Sequence, residues 1–170
     1  MTDHPRAEPA LIAPTTRLHH AWLAARDDWG PGVHEDGFGL HPSDEVDSPP
    51  GFAAWVARLT DVPGSVCRWI VEGDRVLGGI ALRLGPADHV RVFGHIGYGI
   101  RPSARGRGLA TWALGRMLVE AGSLGLTEVL LVCEDHNTAS VKTIERNGGT
   151  FDGVQSTDLG PLRRYLITLR

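Results

Sequence analysis

"IRPSARGRGLATWALGRML", residues 100–118, sets Pro102, Gly106 and Gly108 among Arg101, Arg105 and Arg107, then runs straight into apolar residues at helical spacing. A helix start leaves backbone N–H groups without partners, and the aligned peptide dipoles add partial positive charge there. Glycine at 106 and 108 has no Cβ to hold an anion away from those N–H groups. Arg105 and Arg107 add charge from the rim. A single helix-end anion contact contributes roughly 0.3–1 kcal/mol, so several together suit a pyrophosphate. The alternative is a glycine-rich connection with surface arginines. Other phosphate loops fit worse: Leu109, Ala110 and Thr111 after Gly108 break the G-x-G-x-x-G fingerprint, and the segment has no lysine for a P-loop.

The remaining sequence bounds what surrounds that loop. A chain of 170 residues with 42% hydrophobic and 22% charged residues reads as one soluble domain with a sizeable core. A net charge of −3 argues against nucleic-acid binding. Apolar runs such as "VLLVC" are far too short to cross a bilayer, so no membrane partner is expected. The start, "MTDHPRAEPA", carries no basic-then-apolar leader, which makes the expected location cytoplasmic. Cys67 and Cys133 each lie in an apolar run and read as small buried hydrophobes. Lys142 is the only lysine, a bias read as codon usage in a GC-rich genome.

Outward from the loop, "GLATWALGRMLVEAGSL" is an amphipathic helix that Gly125 ends. "TEVLLVC" follows as a buried strand, "NTASVKTIERNG" as a helix closed by Asn147-Gly148, and "TFDGVQ" and "RRYLITL" as final strands. Upstream, "VRVFGHIGYGI" (90–100) reads as one strand, weakened by Gly94, Gly97 and Gly99, where a bulge, another backbone or a ligand is expected. "SVCRWIVEGDRVLGGIALRL" is a hairpin turning at Gly73-Asp74. "ALIAP" (10–14) opens as a strand, Thr15 or Thr16 caps a helix through residue 29, and "FAAWVARL" (52–59) resumes helix after a Gly-, Pro- and acid-rich loop. Antiparallel strands followed by strand–helix–strand units predict an α/β fold, a mixed sheet with helices on both faces.

"GHIGYGIRPSARGRGLA" and "LLVCEDHNTASVKTIERNGG" together resemble the GNAT superfamily of acetyl-CoA-dependent N-acetyltransferases. Arg105-x-x-Gly108-x-Ala110 matches its R/Q-x-x-G-x-G/A signature. "IGYGIRP" with Asn137, Ser140 and Gly148 is similar to the branch that includes ribosomal-protein N-terminal acetyltransferases. The likeness spans about residues 66–155, the cofactor-binding core of a single domain over 1–170; residues 1–65 would be variable acceptor-side elements and 156–170 a terminal strand.

The resemblance implies a mostly antiparallel sheet splayed between two parallel strands. It implies that amides from Arg105, Gly106, Arg107, Gly108, Leu109, Ala110 and Thr111 hold the coenzyme A pyrophosphate. It also implies that the strand at Ile100 and Arg101 pairs with the pantetheine arm, with Gly97 and Gly99 forming the bulge that opens the gap. A free N–H in that gap would serve as an oxyanion donor. Asn137 either hydrogen-bonds the pantetheine arm or caps its helix, and the two roles are compatible.

The implied chemistry is an amine attacking a thioester. An ammonium of pKa about 10.4 must first lose a proton, which near pH 7 costs on the order of 4–5 kcal/mol. Glu134 is the first candidate base and His95 the second; a surface carboxylate and a satisfied core histidine are the alternatives. Many members carry a tyrosine seven residues after the asparagine, where this chain has Ile144. Ser140 is therefore the candidate donor to the leaving thiolate, with Tyr98 and Tyr165 in reserve. The competing reading is that a member without that tyrosine only binds acyl-CoA.

The acceptor is expected to be a small-molecule or peptide amine, and a homodimer is left open. Asp27, Asp28, Glu35, Asp36, Asp44, Glu45 and Asp47 form an acidic run that either draws in a cationic amine or is simply solvated loop. Trp22, Trp29, Phe38 and Trp55 either line the acceptor pocket or pack helix on sheet. His34 and His41 show no metal-ligand pattern, so no metal is expected.

Overall fold

The architecture follows from one strand, β4 (Ile96–Ile100), that pairs along one edge alone. The computed structural model describes residues 5–170, so the first four residues of the stretch read for a leader lie outside the described residues. A four-stranded antiparallel sheet has the order β1 (Pro9–Ile12), β2 (Ser65–Glu72), β3 (Arg75–Arg83), β4. A second antiparallel sheet has the order β5 (Glu128–Glu134), β7 (Gly160–Thr168), β6 (Thr150–Thr157). The expected split falls between β4 and β5. It is closed at one end only, where Gly94 bridges Leu131 and the His95 N–H donates to the Leu130 carbonyl at 2.7 Å.

Helices cover both faces. On one side, α4 (Leu109–Ser123) buries Leu109, Ala113, Leu114, Met117 and Ala121 against Ile70, Ile80, Leu82 and Ile96 of the sheet, beside α5 (Thr138–Arg146). Those positions recur at helical spacing, and each large one contributes roughly 1.5–3 kcal/mol on burial. On the other side, a 3-10 turn at Thr16–Leu18, α1 (His19–Trp29) and α2 (Pro49–Asp61) bury Trp22, Phe52 and Trp55 against Trp69 of β2. Thr15 caps the turn as expected, its hydroxyl accepting from the Arg17 N–H at 3.3 Å. Trp22, Phe38 and Trp55 therefore pack helix on sheet and line no acceptor pocket.

Two sequence expectations need correction. Residues 90–100 are not one strand. Ala87–Phe93 forms the short helix α3, with Asp88 in its first turn and the Gly94 N–H closing on the Val90 carbonyl at 2.7 Å. The alternating "VRVF" imitated a strand, but Gly94 at φ 78° ends a helix there before β4 begins. Nor does β4 contain a bulge: its register against β3 is unbroken from Leu82↔Ile96 to Gly78↔Ile100.

The glycines serve close backbone approach instead. A Cβ on Gly99 would overlap the Glu35 carbonyl, and one on Gly79 would meet Gly37 and the Phe38 ring. The acidic loop at residues 35–38 lies directly on β3 and β4, held by the Gly79 N–H donating to the Asp36 carbonyl at 3.1 Å. Gly99→Ala should therefore lift this loop and destabilise the protein by about 1–3 kcal/mol in urea unfolding. An unchanged midpoint would mean that the loop gives way without cost.

Candidate active site

The turn after β4 is built to leave donors free. Pro102–Ala104 makes a 3-10 turn, and Gly106 and Gly108 take φ of 76° and 75°, the left-handed region that favours glycine. A Cβ at either position would meet open space, so conformation selects glycine here rather than crowding within the chain. The first helical bond of α4 runs from the Trp112 N–H to the Gly108 carbonyl at 3.0 Å. The N–H groups of Gly106, Arg107, Gly108, Leu109, Ala110 and Thr111 thus donate to no acceptor among the described residues.

The side chains around the turn act differently from the sequence expectation. Arg101 does not offer itself to a pantetheine arm. Its backbone N–H donates to the Leu77 carbonyl at 2.8 Å, and its guanidinium donates to Asp28 at 2.7 Å and to the carbonyls of Val76 and Ala24. Asp28 also accepts from the Ser103 N–H and hydroxyl, which fastens the turn to α1. The Ser103 and Arg101 hydrogen bonds hold the Asp28 pKa down at about 2. Arg107 forms an ion pair with the buried Glu72. Arg105 donates from Nε to the Ile100 carbonyl at 2.9 Å and stays exposed.

Along the split, the ladder decides which amides are available. The Arg83 N–H to His95 carbonyl and Arg101 N–H to Leu77 carbonyl bonds fix the alternation of the antiparallel pair. The backbone groups of Ile96, Tyr98 and Ile100 consequently point away from β3, toward the gap before β5.

That gap opens into a cavity of about 650 Å³ between the two sheets, roofed by the acidic loop. Glu134 and Ser140 from the sequence reading both line it, joined by Glu35, Asp36, Arg83, Tyr98 and Cys133. The Tyr98 hydroxyl lies 2.8 Å from Ser140 Oγ, and burial pushes the Tyr98 pKa up to about 12. Glu35 opens onto the cavity; shielding by its wall, then the Glu134 charge, raise its pKa above the ordinary value. Glu134 itself contacts His136 Nε2 at 3.1 Å.

Other candidates sit elsewhere. His95 Nδ1 accepts the Leu130 N–H at 2.9 Å, burial lowers its pKa, and it stands outside the cavity lining. Tyr165 is fully buried beside Arg163 and Glu145, also outside the lining. Asn137 caps α5, its Oδ1 accepting the Ser140 N–H at 3.1 Å. Ile144 fills core, against Gly149. Among the described residues no His, Cys, Asp or Glu group is arranged to hold a metal ion, and no helix is long and apolar enough to cross a membrane.

A split sheet, a turn with free amides and a helix behind it are family features, and the acetyltransferase (GNAT) domain matches residues 12–150. The chain belongs to the GNAT acetyltransferase family. Solved structures agree with the GNAT fold. The microcin C7 self-immunity acetyltransferase MccE, solved with acetyl-CoA and AMP, superposes with a TM-score of 0.70 at 16% identity, covering 98% of each chain. RimL, a ribosomal L7/L12 alpha-N-protein acetyltransferase solved with coenzyme A, gives 0.74 at 15% identity over 95% of this chain and 94% of that one. Spermidine N-acetyltransferase from Vibrio cholerae, with CoA and spermine, gives 0.69 at 14% over 94% and 95%. A search of curated protein sequences found no match.

For this GNAT protein, Glu35 and Tyr98 are the residues that sequence reasoning undervalued. Glu35 was one acid among several in a loop, and Tyr98 a reserve; only the packing of that loop on Gly99 and the contact with Ser140 single them out. Gly108→Asp would set a carboxylate among the free amides and should weaken coenzyme A binding at least tenfold by calorimetry; unchanged affinity removes the turn from the binding site. Asp28→Asn has a separate signature in acid. A carboxyl held at about 2, below its ordinary 3.8, stabilises the fold above pH 4 and loses that contribution as pH falls through 2. The variant should start with a lower Tm at pH 7 and lose less of it between pH 4 and 2.

Proposed function

We propose that the protein transfers the acetyl group of acetyl-CoA directly to the primary amine of a small molecule or peptide. The observation that carries this reading is the set of free N–H groups from Gly106 to Thr111, beside a gap whose far end is a cavity lined by carboxylates and hydroxyls. Amides presented together at a helix N-terminus suit paired phosphates, so these residues, with Arg105 at the rim, would hold the coenzyme. Acetyl-CoA supplies the acetyl thioester. The outward backbone of Tyr98 and Ile100 offers a pantetheine arm the pairing that a further strand would make, in place of Arg101. Asn137 retains its amide NH2 for the same arm while its Oδ1 caps α5.

The chain's own groups divide the proton traffic. Glu35 takes the ammonium proton, and the neighbouring Glu134 charge, by raising the Glu35 pKa, makes it a better base. Tyr98 and Ser140 share one hydrogen bond, which leaves a hydroxyl proton of the pair for the departing sulfur. Tyr98 stays protonated at any working pH with its pKa near 12. A thiolate of ordinary pKa about 8.5 needs a hydrogen bond more than a strong acid.

Thiol release from acetyl-CoA across an amine panel tests the reading. Glu35→Gln should lower kcat/KM by roughly a hundredfold or more and abolish the low-pH limb, whereas Glu134→Gln should shift that limb downward. Ser140→Ala should lower kcat more than it weakens coenzyme binding. Tight coenzyme binding with no release from any amine would leave a silent acyl-CoA-binding module in its place.

A further inference from the structure

The cavity holds two opposite charges, Arg83 and Glu35, that feel each other's field without forming an ion pair. Arg83 projects from the end of β3 beside Gly97, where its guanidinium would crowd any Cβ. Its guanidinium makes one hydrogen bond among the described residues, from Nη1 to the Gly94 carbonyl at 3.3 Å, and no carboxylate among them lies within 4.0 Å. By contrast Arg58, which lines the same cavity, is already paired with Asp44. Burial disfavours the Arg83 cation and lowers its pKa. Glu35, which lines the same cavity, likewise has no ion-pair or hydrogen-bond partner among the described residues. Elsewhere the carboxylates of the acidic run are occupied: Asp28 by Arg101, Asp44 by Arg58, Asp47 by Arg26, and Asp36 by the Phe38 N–H.

An unpaired guanidinium facing a cavity is costly unless a ligand meets it. Nη1 is on the Gly94 carbonyl and Nη2 packs on Gly97, yet Nε and Nη2 make no hydrogen bond among the described residues, and two such N–H groups match the two oxygens of a carboxylate. Glu35 meanwhile suits the amine. We infer that the acceptor is an amine that also carries a carboxylate, with Arg83 holding the carboxylate while Glu35 receives the amino group. This rests on the transferase reading above and narrows it: a polyamine without an anionic group would leave Arg83 unmatched. An aminoalkyl phosphate presents related oxygens, but its tetrahedral group fits the planar edge less well.

The test pairs each amino carboxylate with the same amine lacking the carboxylate, and adds aminoalkyl phosphates as a third arm. Turnover is read by thiol release, and binding by thermal shift with coenzyme A present. The wild-type protein should favour amino carboxylates in kcat/KM by about tenfold to a hundredfold, the range expected of a charge-assisted hydrogen bond. Arg83→Gln should collapse that ratio towards one, and Arg83→Lys should restore part of it. Coenzyme A binding verifies that each variant is folded. Equal turnover of both members of each pair, or a ratio that survives Arg83→Gln, overturns the inference while leaving the transferase reading intact. Preference for the phosphates overturns the carboxylate assignment. Amino carboxylates that bind through Arg83 without thiol release would support the inference and sink the transferase reading. No binding and no turnover would sink both.

Discussion

The single unpaired edge of β4 is the constraint on which the site depends. Backbone N–H and C=O groups inside a protein are expected to be satisfied, and strands ordinarily achieve this on both sides. Here β3 satisfies one edge, and the other meets β5 only through Gly94 and His95. Past that bridge the sheets part, and the amides of Ile96, Tyr98 and Ile100 face a gap. His95 thus acts as a clasp through both its backbone and its ring, which explains why a histidine of suitable ordinary pKa lies outside the cavity. Were the clasp longer, the gap would close; were it absent, the two halves of the molecule would lose their shared register.

Around this gap, charge is arranged so that the binding turn is rigid yet its donors remain free. Arg101 and Arg107 use their guanidinium groups on Asp28 and Glu72. Those pairs fix the chain ahead of Gly106 and at Arg107 between the two glycines, while the amides from Gly106 to Thr111 keep no internal acceptor among the described residues. The arginines that look like phosphate ligands in sequence are therefore mostly braces. An arginine that reached across the turn would already shield those amides, so diverting it preserves the helix-end field for a ligand.

The sequence made the order and type of nearly every element legible, because apolar periodicity and glycine punctuation agree along most of the chain. It failed at residues 87–93, where a seven-residue helix is too short for its period to differ from alternation. The free-amide turn was legible because glycine at a helix start has a specific physical consequence. The carboxylate proposed as the base was not. Glu35 differs from its acidic neighbours only in having no internal partner, and that fact requires knowing that Arg101, Arg58 and Arg26 reach Asp28, Asp44 and Asp47 from distant parts of the chain. The role of Gly99 was half legible: close approach of a backbone was expected, but not that the backbone would be the acidic loop itself.

The absence of a tyrosine at position 144 leaves the hydroxyls of the cavity to other elements. Ile144 is buried at 1% exposure and packs under the turn at Gly149, so α5 presents no aromatic hydroxyl from that position. Tyr98 approaches from β4 instead, with its side chain on the α4 and α5 face because Gly97 and Gly99 occupy the other. Its hydroxyl reaches Ser140, whose own position is set by the Asn137 cap one turn earlier. The strand whose outward amides are proposed to meet the coenzyme therefore also carries the hydroxyl, and the glycines that admit the acidic loop bring a carboxylate over the same strand. The proposed binding edge, base and hydroxyl are all fixed to one short stretch of backbone, so a shift in the β4 register by one residue would displace all three together.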